Sequence, residues 1–157
     1  MTTFTGILNG TLYGIMHWDK WDELCDHIQA SCDPWFAYSV GHAVPEFPVK
    51  DAELAIALDE IRALLKREHE EDYLGIVFVD DLTSPALIKI YDPSNLGSSC
   101  GSSGRNIPPG WILSRLPPSP IASDIPLPNN RRRWWQGLLT RLADSSVNAG
   151  EKIEGHH

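Results

Sequence analysis

The sequence predicts an α+β fold: a mainly antiparallel sheet of about four to six strands, two main helices on one face, and a C-terminal helix. Short β-prone runs and two helical stretches follow one another without the strict strand–helix alternation of a parallel sheet. Five prolines among residues 116–128 favour an extended connector, rather than packed structure, before the last helix.

An N-terminal β-hairpin is the first element that the sequence predicts. Asn9-Gly10 is a dipeptide typical of two-residue hairpin turns. It separates two short apolar runs, residues 3–9 and residues 11–17, each long enough to form a strand. We therefore expect two strands before the first helix.

Two amphipathic helices are expected next. Apolar residues recur at helical spacing over residues 19–31, and Asp33-Pro34 ends this helix because proline disfavours a helical conformation in the residue before it. A second apolar stripe, mostly leucine, predicts a helix over residues 51–70 with Asp51 as its N-cap. These are the two helices that we expect on one face of the sheet.

The other strands come from short β-prone runs, two of which form a hairpin with a long polar loop. After that hairpin, Asp92-Pro93-Ser94-Asn95 fits a type I turn in which the Asp92 side chain accepts a local backbone hydrogen bond. The expected strands are residues 35–40, 74–79, 86–91 and 111–114.

The chain divides into four parts. Its length of 157 residues suits one domain, and its last four residues, Glu-Gly-His-His, resemble a purification tag. The parts are a single α+β domain over residues 1–115, a Pro-rich connector over 116–130, a basic amphipathic helix over 131–145 with Asn129 or Asn130 as its cap, and a disordered tail over 146–157.

Charge is distributed unevenly along the chain. Residues 1–100 contain 17 Asp and Glu against 6 Lys and Arg, whereas residues 101–157 contain 4 against 7, and the net charge is -8. Because an acidic body repels phosphate backbones, we expect no duplex nucleic acid as a partner. A short basic patch remains in the C-terminal part.

Composition also bears on location. No run of 18 or more apolar residues occurs, so no transmembrane helix is expected. The N-terminus lacks the basic start and apolar run of a secretory signal. The 3 cysteines are an odd number in a chain large enough to fold without disulfides. These observations predict a cytoplasmic protein with reduced thiols.

A Gly/Ser-rich loop around Cys100 is the first place to look for a functional site. Its Gly97-Ser98-Ser99-Cys100-Gly101 matches the G-x-S-x-G pattern of serine hydrolases, but the flanking strand and helix which that pattern requires are missing. Cys100 itself is a weak nucleophile candidate, with Arg105 able to stabilise a thiolate. We favour a structural role for this cysteine. Its base would have to be one of the remote histidines His17, His27, His42 and His69.

No metal or cofactor site is expected. Cys25, His27 and Cys32 lie close in sequence, but zinc sites pair such ligands with a second set, which the chain lacks. Asp80 and Asp81 do not follow the spacing of a calcium-binding loop. The Gly/Ser-rich loop also lacks the lysine and the following helix of a phosphate-binding loop.

The basic segment at residues 131–142 leaves two interpretations open. Arg131 and Arg132 precede two tryptophans, and Trp135 shares one helical face with leucines. Helices of this kind lie on anionic membranes or dock into a partner's groove. The interpretation that we favour is intramolecular, with a tryptophan packed on the sheet and the arginines bound to the acidic body.

The leading functional hypothesis is a small, cytoplasmic, non-catalytic accessory or regulatory protein that binds another protein. It follows from the incomplete catalytic, metal and cofactor patterns, and from a loop and tryptophans suited to recognition. The alternatives are a cysteine-dependent enzyme or thiol sensor using Cys100, and a peripheral membrane protein anchored by residues 131–142. The residues expected to bind a partner are Asn95, Ser99, Cys100, Arg105, Trp111, Arg131, Arg132 and Trp135.

Overall fold

A five-stranded antiparallel sheet forms the centre of the computed structural model, which describes residues 2–95, 107–123 and 125–154. Four α-helices accompany the sheet in these residues, so the expected α+β class is confirmed. The strands are β1 (Tyr13–Ile15), β2 (Phe36–Ser39), β3 (Val77–Val79), β4 (Leu87–Ile90) and β5 (Trp111–Ser114). The helices are α1 (Phe4–Leu8), α2 (Trp18–Ser31), α3 (Ala52–Glu68) and α4 (Asn129–Glu154).

The strands lie in the order β1-β3-β4-β5-β2, and every neighbouring pair is antiparallel. Their register brings one end of each strand together in a row, which we call the loop end of the sheet. Because β4 ends and β5 begins in this row, the Gly/Ser-rich segment joins the sheet here. The five residues of the loop end are Ile15, Val77, Ile90, Trp111 and Ser39.

Three helices cover the first face of the sheet. α2 and α3 are the two helices expected there, and α4 packs beside α3. Trp21 of α2, Leu58 of α3 and Leu138 of α4 belong to one buried cluster. The same cluster contains Val77 and Trp111 of the sheet. Burial of this shared apolar surface holds the helices on the sheet.

The second face of the sheet carries a smaller apolar cluster. Side chains alternate between the faces of a strand. In β5, Trp111 and Leu113 therefore join the first cluster, while Ile112 belongs to the second. Ile112 packs there with Leu87 of β4 and Phe4 of α1. α1 thus covers part of the second face.

The expected N-terminal hairpin is wrong, because residues 4–8 form a helix rather than a strand. Thr3 caps this helix: its Oγ1 accepts a hydrogen bond from the Gly6 N–H at 3.0 Å. Phe4 is buried, so its ring fixes the helix on the sheet. Asn9 is the C-cap of the helix instead of a hairpin residue. The second strand of the expected pair is present as β1.

The Pro-rich connector lacks regular secondary structure, as expected, but it packs against the domain. The Ile121 N–H donates to Tyr38 Oη at 3.1 Å, and the side chains of Leu116 and Ile121 pack against the second cluster. Leu127 lies beside Gly41, whose φ of +101° is rarely adopted by a residue with a side chain. The connector therefore covers the domain instead of separating it from α4.

α4 is longer than the sequence predicts. It begins at Asn129 and runs to Glu154. Residues 146–154, which the sequence predicts to be part of a disordered tail, have helical backbone, and residues 155–157 lie outside the described residues. The start of the helix at Asn129 also means that neither expected cap residue precedes it.

The remaining elements agree with expectation to within a few residues. Asp51 lies directly before α3, as expected of its N-cap, but its side chain forms no capping hydrogen bond and its φ is 54°.

The helices that the structure describes include none of the length and apolarity needed to cross a membrane.

Candidate functional site

A buried arginine joins α4 to the loop end of the sheet. Arg131 is only 4% exposed. Its Nε and Nη2 donate to the two carboxylate oxygens of Asp92 at 2.8 and 2.9 Å. Its Nη1 and Nη2 donate to the two oxygens of Glu68 at 2.9 and 2.8 Å. One guanidinium thus holds two carboxylates, each through a pair of charge-assisted hydrogen bonds.

Local structure places each member of this cluster. Arg131 lies in the first turn of α4, and Glu68 is the last residue of α3. Asp92 follows β4 and leads into a short 3-10 turn, Pro93–Asn95. The N–H and Oγ of Ser94 both donate to Asp92 Oδ1, at 2.9 and 2.8 Å. The expected local hydrogen bond of Asp92 is therefore present, and it orients the carboxylate toward the arginine.

Hydrogen bonds set the electrostatics of the cluster. Burial acts to lower the pKa of Arg131, but the hydrogen bonds to Glu68 and Asp92 outweigh burial and raise it. The hydrogen bond from Arg131 holds the pKa of Glu68 below its ordinary value, against the opposing effect of burial. Arg131 and Glu68 are therefore both charged near neutral pH. The Arg131 Cζ also lies 5.7 Å from the centroid of the Trp111 ring, over its face.

Little space lies beside this cluster. A cavity of about 20 Å³ has Ser39, Asp92, Asn95, Trp111 and Arg131 in its lining. A volume of this size suits about one water molecule. Both carboxylates are engaged by the arginine, so the described part of the cluster holds α4 against the loop end.

The structure separates the residues that the sequence predicts to bind a partner. Trp111, Arg131 and Trp135 are buried, so they contribute to the interior and not to a surface, contrary to expectation. Asn95 is half-buried at the loop end, and Arg132 is exposed on α4. The other three expected residues, Ser99, Cys100 and Arg105, lie outside the described residues.

The structure agrees with the intramolecular interpretation of the basic segment. Trp135, Leu138 and Leu142 belong to the main buried cluster. Arg141 forms an ion pair with Glu60 of α3, so a second arginine of α4 also meets the acidic body. The apolar face that a membrane or a partner's groove would require is therefore occupied by the protein's own core.

His42 is a candidate histidine at the loop end, three residues after Ser39. The His42 Nδ1 is 3.1 Å from Ser39 Oγ. Burial, and then the positive charge of Arg132, lower the pKa of His42, so its imidazole is neutral near pH 7. Because Cys100 lies outside the described residues, the hypothesis of a cysteine-dependent enzyme or thiol sensor stays a prediction.

The two described cysteines, Cys25 and Cys32, differ in exposure. Cys25 is fully buried on α2, and desolvation raises the pKa of its thiol far above the ordinary value, as expected for a core cysteine. Cys32 is exposed at the C-terminal end of α2 and forms no disulfide. Among the described residues, no three His, Cys, Asp or Glu side chains are grouped so that they hold a metal ion.

An exposed apolar surface lies at the edge of the sheet formed by β1. We call Tyr13, Met16 and Tyr73 the β1 edge surface; they are 55%, 52% and 61% exposed. The Leu74 N–H donates to Met16 O at 2.7 Å, and the rings of His17 and Tyr73 meet edge to face at 5.7 Å. Tyr73 therefore lies next to Met16, just past the end of β1.

Sequence reasoning misses both of these features. Glu68 is the last residue of α3, and its partner Arg131 is 63 residues away. No local pattern predicts such a contact. The exposure of Tyr13 and Met16 has a weak local signal, because Tyr13 begins a strand of only 3 residues and Met16 lies just past its end.

The fold and the arginine cluster define this protein as a small α+β domain whose C-terminal helix is fixed by a buried ion-pair network. No family model matches the chain, and no curated protein or solved structure matches it either. Its function therefore has to be inferred from its own residues.

Proposed function

We propose that this chain is a non-catalytic accessory or regulatory domain that binds another protein, and that the β1 edge surface is the binding surface. The observation that carries the proposal is the exposure of Tyr13, Met16 and Tyr73 beside a strand that, among the described residues, pairs on one side only. Grouped exposed apolar side chains mark interaction sites on soluble domains. Tyrosine and methionine are also enriched where proteins meet.

This proposal moves the binding surface away from the Cys100 loop. Trp111, Arg131 and Trp135 are buried in the domain, so a partner does not reach them while α4 is packed. The chemistry of the described residues also supports a binding role. The buried carboxylate of Asp92 is held by an arginine, and the thiol of Cys25 is enclosed in the core.

A cytoplasmic location fits the same proposal. Cys25 and Cys32 form no disulfide. Unpaired thiols, one of them on the surface, are typical of proteins in a reducing compartment.

Quantitative affinity capture from the native host tests the proposed function. We expect the wild-type protein to retain one or more proteins that the triple variant Tyr13→Ser, Met16→Ser, Tyr73→Ser loses. The double variant Phe47→Ser, Leu82→Ser is the matched control. Phe47 is 77% exposed and Leu82 is 58% exposed, and both lie outside the β1 edge surface. Equal retention by the triple variant and the control contradicts the proposal.

A further inference from the structure

We propose that the partner, whose existence rests on the proposed function, adds an extended lysine- or arginine-rich segment to the sheet as a sixth strand along the outer edge of β1. Strand addition uses main-chain hydrogen bonds for affinity and side-chain contacts for specificity. Four features of this edge carry the proposal: its unpaired backbone, the direction of its amides, its two apolar side chains and the negative charge beside it.

The two edges of the sheet differ in protection. At the β2 edge, Trp35 and Val49 exchange backbone hydrogen bonds of 2.9 and 2.8 Å, and Pro48 precedes that bridge. Proline and an added strand segment are common ways to block an edge. β1 is the other terminal strand, and residues 12–16 contain neither a proline nor a charged side chain. The described part of the chain pairs β1 only with β3.

One residue of β1 directs its backbone N–H and C=O groups away from β3. The Ile15 carbonyl accepts a hydrogen bond from the Gly75 N–H at 3.0 Å, so it points toward the β3 side. In an antiparallel pair, successive residues direct their N–H and C=O groups alternately toward and away from the partner strand. Gly14 therefore presents its N–H and C=O to the outer edge. Gly14 is exposed and has no side chain, so an added strand can approach it closely.

Two apolar side chains flank the position of an added strand. Tyr13 lies in β1 and Met16 directly follows it, and both side chains are exposed. A strand added along β1 would therefore pass next to both. Tyr73 extends the contact beyond the end of β1.

The charge beside this edge selects a cationic segment. Glu70, Glu71 and Asp72 are exposed. Trp18 Nε1 donates to the backbone oxygen of Glu71 at 2.9 Å, which places the backbone of this acidic segment beside Trp18, the first residue of α2. The nearby Lys20 forms an ion pair with Glu23 at 3.3 Å and so does not neutralise them. Lysine or arginine side chains on the added strand complement this charge.

Fluorescence anisotropy with a labelled nine-residue peptide of alternating lysine and valine tests the binding mode. We expect the peptide to bind the full chain and the affinity to fall with added salt. The same peptide with glutamate in place of lysine should not bind. A version with every backbone amide N-methylated keeps the charges but lacks the N–H donors, so it should not bind either. Equal binding of the N-methylated peptide contradicts strand addition.

Two measurements on the protein sharpen this test. Hydrogen exchange of the Gly14 amide should slow when the lysine peptide binds, because the amide gains an acceptor; an unchanged rate overturns the proposal. Asp72→Lys should weaken binding by about threefold to fivefold. Glu46→Lys, an equal charge change in an exposed loop away from β1, should leave the affinity unchanged, and an equal loss in both variants points to net charge alone.

The two proposals fail separately. If the lysine peptide does not bind while the Tyr13, Met16 and Tyr73 variant still loses a captured partner, strand addition is wrong and the protein-binding function stands. If the peptide binds and protects Gly14 but the same variant keeps every captured partner, the strand-addition site is present and the proposed function is wrong.

Discussion

Arg131 holds both carboxylate oxygens of Asp92, at 2.8 and 2.9 Å, across 39 residues of chain, and this contact decides where the C-terminal helix lies. The same guanidinium holds Glu68 at the end of α3. Because burying an unpaired charge is costly, α4 settles where its arginine meets both carboxylates. The basic segment is therefore part of the domain, and the surface that we propose for a partner is the β1 edge surface instead.

Arg131→Met tests the contribution of this cluster to stability. The substitution keeps an apolar stem but leaves Asp92 buried without its partner, so we expect a loss of about 3–5 kcal/mol in the free energy of unfolding. Urea denaturation followed by circular dichroism measures the loss. Arg132→Met is the control, since this neighbouring residue is exposed and should change stability by less than about 0.5 kcal/mol. Similar stability of both variants contradicts the structural role of Arg131.

The lowered pKa of Glu68 predicts a pH dependence of stability. A carboxyl group whose pKa is lower in the folded state stabilises the fold above its unfolded-state pKa. That contribution disappears as the pH falls through the folded-state pKa, which lies below the ordinary value of 4.5. Glu68→Gln should thus be less stable than wild type at neutral pH, and the difference should shrink in acid.

Urea denaturation at several pH values between about 7 and 3 measures this difference. Glu46→Gln, in an exposed loop, should follow the wild-type curve throughout. A constant gap between Glu68→Gln and wild type across the whole range contradicts the assigned ion pair.

Leu138 and Leu139 give a matched test of how α4 packs. Leu138 is fully buried, whereas its neighbour Leu139 is 45% exposed. Leu138→Ala should cost about 2–5 kcal/mol through lost burial and the cavity left behind. Leu139→Ala changes the same helix by the same atoms and should cost less than about 0.5 kcal/mol. Thermal unfolding of both variants measures the two losses of stability. Equal losses imply that α4 does not pack on the sheet.

Cys25 should be inert in the folded protein. Its thiol is buried, and desolvation raises its pKa, so the reactive thiolate is scarce. A variant with Cys32→Ser and Cys100→Ser leaves Cys25 as its single thiol and should react with an aromatic disulfide reagent only after denaturant is added. A variant with Cys25→Ser and Cys100→Ser keeps the exposed Cys32 and should react without denaturant. Rapid reaction of the first variant contradicts the core position.

Local patterns predict most of the secondary structure of this chain. The apolar spacing of residues 19–31 and 51–70 corresponds to α2 and α3, since an amphipathic helix repeats its buried face every three or four residues. The short β-prone runs likewise correspond to the strands β2, β3, β4 and β5. The failure at residues 3–9 is also physical: a threonine cap and one buried phenylalanine favour a helix over a strand in a segment too short for periodicity to decide.

The candidate site was far less accessible to prediction. The face of α4 that carries Trp135 is equally suited to a membrane, a groove or the protein's own sheet. Only the position of the sheet in the folded protein decides which of these three the helix face contacts. Local patterns do not predict the β1 edge surface either, because a backbone hydrogen bond between segments far apart in the chain brings Tyr73 beside Met16.

The sequence by itself determined the α+β class, the acidic body, and a helix whose basic and apolar faces are separated. The tertiary structure decided that Arg131 is a buried anchor of that helix, that Trp111 belongs to the core, and that apolar side chains remain exposed at β1. The physical reason is the range of the interactions. Helix and strand periodicity acts between near neighbours, whereas charge pairing and burial depend on which distant segments the fold brings together.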